Sequence, residues 1–233
     1  MGLINIQNTN FENGITNRNA ADLFGSMGQL DPTKFHNFME DFDYYVAANF
    51  TITGAGAGTQ ALADVDGGVL RLTTAGADND AEFLVKNGQS FLMEAVANRK
   101  QYFRSRQSVD SAVDSDLVVG LADGAGLTPN NGVFFRKDDD AATLDVIVRS
   151  GSADIATAVA IATITTAFFT TAWYWDGIDR VYYGVDGTPL GFLDLNGLAL
   201  PVGELQPSFG VQAGAVAALV GDFDWVFAAK ERS

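Results

Sequence analysis

The chain has 233 residues and a formal net charge of −15, from 29 acidic against 14 basic side chains, with one histidine and no cysteine. Such a surface repels phosphate backbones and anionic headgroups, which argues against nucleic acid and membrane as partners. The missing cysteine removes disulfides, thiolate metal sites and thiol catalysis, while Gly at 25 positions with abundant Ala, Thr and Val favours strands and turns over helix.

Residues 1–33 differ from the rest. They hold six Asn before Ala20, little apolar periodicity, and a stop at Asp31-Pro32. Met1 is followed by Gly2, Leu3 and Ile4 without the basic start and apolar core of a signal peptide, so synthesis in a reducing cytoplasm is expected. A disordered terminus is one reading of the segment. Leu3, Ile4, Ile6, Phe11, Ile15, Leu23, Phe24, Met27 and Leu30 are more apolar side chains than a solvating tail carries, which favours an arm that orders on a partner.

From 34 to 233 short apolar runs alternate with turn residues. Strands are expected near Phe50 to Thr53, Thr59 to Asp64, Val69 to Thr73, Ala81 to Val85, Phe91 to Val96, Gln101 to Gln107 and Leu117 to Leu121. Further ones follow near Val133 to Lys137, Leu144 to Val148, Ala158 to Thr163, Trp173 to Trp175, Val181 to Val185, Phe209 to Ala213 and Phe223 to Ala228. About fourteen strands at this spacing predict an all-β, two-sheet antiparallel jelly-roll sandwich behind an extended N-terminal arm. The apolar stretch 156–175 is too rich in Thr and β-branched residues for a membrane helix. Its Val159, Ile161 and Ile164 read as a buried strand.

In "RVYYGVDGTPLGFL" an alternating strand runs into a tight turn at Asp186-Gly187. Period two places Val181, Tyr183 and Val185 on one face and Tyr182 on the other, and turns Trp173 and Trp175 together toward the interior. In "DFDWVFAAKERS" the same period puts Phe223, Trp225 and Phe227 opposite Asp224 and Val226, with a charged C-terminus closing a sheet edge.

Catalytic constellations are sparse. A retaining glycosidase needs two carboxylates about 5 to 5.5 Å apart, yet the six Glu are scattered singly and no E-x-D-x-E run occurs. Alternating acids at Asp41/Asp43, Asp64/Asp66, Asp78/Asp80/Glu82, Asp114/Asp116 and Asp222/Asp224 mostly flank Gly or Asn and read as solvated turns. His36, alone among aromatics, reads as structural. The acidic runs 75–83 and 136–143 have oxygen ligands for Ca²⁺ but not the EF-hand spacing, so no metal or cofactor is assigned. One cationic stripe stands out: Lys100, Tyr102, Arg104 and Arg106 point the same way from a strand. This is either an outer sheet face paired with acids or a docking patch.

The run 31–83, "DLVVGLAD", "GVFFRKDD", the "VYYGVDG" hairpin and the final "SFGVQAG" and "DFDWVFA" strands resemble virion structural proteins of tailed bacteriophages, which have a concanavalin A-like or laminin-G-like jelly roll. The resemblance covers almost the whole chain from residue 31. It implies a non-enzymatic capsid decoration or cement protein, bound to the major capsid protein on the outer surface of the head and self-associating as a homodimer or homotrimer. Docking would then fall to Ile4, Ile6, Phe11, Leu23 and Phe24 of the arm and to Lys100, Tyr102, Arg104 and Arg106. The alternative is a carbohydrate-binding, lectin-like module that meets surface glycans through Tyr174 and Tyr182, with Asp176 or Asp179 accepting hydroxyl hydrogen bonds.

Overall fold

The computed structural model describes residues 35–63, 67–88, 90–94 and 99–232. The arm, with Ile4, Ile6, Phe11, Leu23 and Phe24, lies outside them. Fifteen strands are found among the described residues: β1 Phe35–Glu40, β2 Phe50–Ala55, β3 Thr59–Ala63, β4 Val69–Thr73, β5 Ala81–Lys86, β6 Gln101–Val109, β7 Ser115–Ala122 and β8 Gly132–Lys137, followed by β9 Thr143–Ser150, β10 Ala153–Thr163, β11 Phe169–Trp175, β12 Arg180–Val185, β13 Thr188–Asp194, β14 Gln206–Ala213 and β15 Val220–Glu231. All pairings are antiparallel. One seven-stranded sheet runs β10-β9-β8-β7-β14-β5-β2. The other, eight-stranded, runs β13-β12-β11-β6-β15-β4-β3, with β1 also paired to β15.

The two sheets meet through one core. Phe103 of β6, Trp173 and Trp175 of β11, Val181 of β12 and Phe223 of β15 come from the eight-stranded sheet. Val119 of β7, Phe135 of β8, Val146 of β9 and Phe209 of β14 meet them from the seven-stranded one, and all of these are fully buried. Trp173 stacks on Phe103 at 6.0 Å, and Phe209 lies 4.7 Å from Phe223 across the sandwich. Three polar side chains on the inner face bond to one another: Ser105 Oγ donates to Gln107 Oε1 at 2.7 Å, and Gln107 Nε2 donates to Thr171 Oγ1 at 3.2 Å, whereas the indole N–H groups of Trp173 and Trp175 are buried without a partner. Mutual hydrogen bonding of this kind offsets the cost of burying the three side chains.

Several expectations are corrected. Residues 91–94 form no strand, whereas Phe35–Glu40 do, and the return strand of the Asp186-Gly187 hairpin is Thr188–Asp194, with Pro189 inside it and not before it. Residues 153–163 are a strand, but an edge one, with Val159 71% exposed while Ile164 is buried. The closing strand β15 is no edge. It pairs with β6 on one side, and on the other with β4 at its start and β1 at its end. Its alternation also breaks, because a bulge between Phe223 and Trp225 sets Asp224 and Trp225 together opposite Arg106. Phe223, Val226 and Ala228 consequently point inward, and Trp225 and Phe227 outward.

Candidate functional site

The outer faces of the two sheets differ. On the seven-stranded sheet Phe83, Val118, Phe134 and Ile147 form a second small core closed by Ala125 and Leu127 of the β7–β8 loop. Asp123 fastens that loop, accepting from the Asn131 backbone N–H at 3.0 Å and from its side-chain amide at 2.8 Å. Gly120 is required beneath it, since a Cβ there would meet Phe134 Cβ at 2.5 Å. The protein thus covers the middle of that face with its own chain, while Thr53 and Thr157, beside Phe83 and Ile147 on the edge strands, are exposed.

The eight-stranded sheet instead carries a row of rings. Register places Phe192 of β13 beside Tyr182 of β12, Tyr182 beside Tyr174 of β11, and Tyr174 beside Tyr102 of β6. Ring centres are 5.8 Å apart for Tyr182–Phe192 and 6.2 Å for Tyr174–Tyr182, and Tyr102 lies 6.0 Å from Phe227 of β15. Phe192 is 48% exposed, Tyr174 and Tyr182 are half-buried, and Tyr102 is buried beneath its neighbours. Cross-strand alignment of alternate positions creates this row, because all five residues fall on the outward phase of adjacent strands.

Cations border the rings. Arg180 lies 4.8 Å over Phe192, Arg106 lies 4.5 Å over Phe168, and Arg104 lies 5.5 Å over Trp225. Arg106 also pairs with Asp224, and Arg71 forms a two-pronged pair with Asp222 at 2.8 Å. Asp222 and Asp224 are therefore strand residues engaged by arginines, not turn tips. Of the cationic stripe, Tyr102, Arg104 and Arg106 do share the outer face, whereas Lys100 precedes the strand. Burial, then the charges of Glu231 and Asp176, pushes the Tyr174 phenol up to about 12, so its hydroxyl keeps its proton and can donate. Asp176 serves the backbone instead. Its Oδ1 accepts the N–H groups of Ile178, Asp179 and Arg180 at 2.9, 3.0 and 3.1 Å and holds the β11–β12 turn.

Other candidates lie apart from this face. His36 sits within β1, 4.9 Å from the Phe91 ring, with its pKa lowered by burial and by Arg232 and Lys230. Two acids expected in solvated turns are buried: Glu82, bound by Gln60 Nε2 at 2.7 Å, and Asp116, which accepts the Asp139 N–H at 2.7 Å. Neither belongs to a group of three or more possible metal ligands among the described residues. A groove of about 750 Å³ opens at one end between Leu92–Glu94 and residues 198–203, lined mainly by apolar side chains.

Two antiparallel sheets packed in this order make a concanavalin A-like jelly roll. The solved structures similar to it include a protein of unknown function from Shewanella oneidensis MR-1 (13% identity, TM-score 0.61, 85% of this chain and 87% of that one). Others are the GH16 of the Bacteroides ovatus mixed linkage glucan PUL, solved with a G4G4G3G product (11%, 0.59, 81% and 98%), and peanut lectin with a 9mer peptide (12%, 0.58, 86% and 99%). At these identities the likeness is one of fold. Neither a protein-family model nor a curated protein matches the sequence.

Proposed function

We propose that the chain is a non-enzymatic, lectin-like carbohydrate-binding module that seats a sugar chain on the outer face of its eight-stranded sheet. The row Tyr174, Tyr182 and Phe192, three rings on adjacent strands at 5.8 to 6.2 Å, carries the proposal. Aromatic faces on a rigid sheet offer apolar area to sugar C–H groups at little entropic cost, and phenolic hydroxyls supply the polar handle. The company of a lectin and a glucan-bound GH16 among similar folds supports the same reading. Binding is favoured over cleavage because the acids whose charges reach Tyr174 serve the backbone, Asp176 accepting the N–H groups of Ile178, Asp179 and Arg180 and Glu231 that of Lys100. A panel of neutral and acidic oligosaccharides titrated against the wild type and Tyr182→Ala is the test. Loss of about tenfold or more in affinity with an unchanged fold is expected, and an unaltered affinity would remove this face from the account.

Head-shell decoration rests on the resemblance of residues 31–83 and the later strands to phage virion proteins. None of the three similar structures named above is described as viral. Decoration requires a copy number on purified particles that is a simple fraction of the major shell subunit, which quantitative mass spectrometry measures.

A further inference from the structure

We propose that the sugar recognised on this face is an acidic one, and that Arg104 receives its carboxylate. The inference rests on the binding reading above and adds the substrate class. Arg71 is matched to Asp222, Arg106 to Asp224, and Arg180 approaches Asp179 at 3.9 Å. Arg104 has no ion-pair partner among the described residues. Its cross-strand neighbours are Ala172 and Phe227, its guanidinium lies over Trp225, and its Nε is buried without a hydrogen-bond partner.

A half-buried guanidinium held by apolar neighbours on a chain of net charge −15 is an uncommon choice if nothing anionic is to meet it. With Arg71 and Arg106 paired and Arg180 beside Asp179, Arg104 is the strand arginine of this face left without an ion pair among the described residues, and the carboxylates that dominate the rest of the surface repel a polyanion from landing elsewhere. The guanidinium fork matches a planar carboxylate through two parallel hydrogen bonds, a geometry an ammonium does not reproduce. Arg104 lies two residues beyond Tyr102 along β6 and so shares its face. A sugar chain lying on the Tyr174–Tyr182–Phe192 row therefore brings a uronic or sialic acid carboxylate to it from the neighbouring position.

The full-length protein should be titrated with uronic-acid oligosaccharides and a sialylated trisaccharide, each alongside its methyl ester. A preference of about tenfold or more for the free acid, lost in Arg104→Met while ester affinity stays, is the expected result. Arg104→Lys should retain part of it, which separates a charge effect from altered packing. Equal affinity for acid and ester, or a preference that survives in Arg104→Met, overturns the assignment and leaves the binding reading standing. Binding to neutral glycans alone does the same. If no acidic or neutral sugar binds, the binding reading itself falls and this inference with it.

Discussion

Trp173 and Tyr174 are neighbours in sequence with opposite fates, one fully buried and the other half-exposed in the ring row. Trp173→Ala should cost about 3 to 5 kcal/mol in a denaturant titration, since it leaves a cavity against Phe103; Tyr174→Ala should cost far less. Alternation alone separates the two, and this part of the site was legible in the sequence. Asp116 was not. It flanks turn residues like the solvated acids, and its burial depends on the packing of strands and loops distant in sequence. Burial, the largest influence, pushes its carboxyl up to about 6 against the opposing Asp139 N–H; the acidity of Asp139 and Asp138 adds to the rise, and Lys137 opposes it. The folded chain therefore binds a proton that the unfolded chain has released. This contribution to stability is full below the unfolded value of 3.8 and is lost as pH rises through 6. Asp116→Asn should flatten the fall in unfolding free energy between pH 4 and 6 by about 2 kcal/mol, measured by urea melts at half-unit intervals. An unchanged slope would mean that the carboxylate is solvated.

Among the elements, β15 shows where pattern reading stops. Phe223, Trp225 and Phe227 alternate in sequence, yet the bulge places Phe223 inside and the other two outside. A strictly periodic reading has no means of seeing an inserted residue, because Asp224 carries no Gly signal and its reason for being there is Arg106 on the adjacent strand. Deleting Asp224 should close the bulge and keep every other side chain on its present face. The chain should still fold, with a loss within about 2 kcal/mol. Deleting Val226 should shift Phe227 and Ala228 to the wrong faces and abolish cooperative unfolding. Circular dichroism melts of the two deletions check the contrast, and equal behaviour would mean the register is not what holds β15. The strand's central position was equally hidden, since its charged end resembles an edge and only the return of β1 covers it. By contrast the β12–β13 hairpin was legible, because the Asp186-Gly187 turn, with Asp186 at φ 51° and Gly187 at φ 75°, is written locally.

At the scale of the whole molecule, composition and turn spacing pointed to a two-sheet sandwich, and that is what forms. Which strands neighbour each other depends on long-range pairing that no local window contains, so the row of rings crossing five strands could not be assembled from the sequence. Once assembled, it distinguishes the two outer faces: the seven-stranded sheet covers the middle of its own with the β7–β8 loop, and the eight-stranded sheet presents rings bordered by arginines. The most direct test of that face as the binding surface is aromatic and backbone NMR shift mapping of the full chain, titrated with the tightest-binding oligosaccharide of the panel. Perturbations centred on Tyr174, Tyr182, Phe192 and Arg104 are the expected result. Perturbations centred instead on the groove between Leu92–Glu94 and residues 198–203, with the ring row silent, would contradict it.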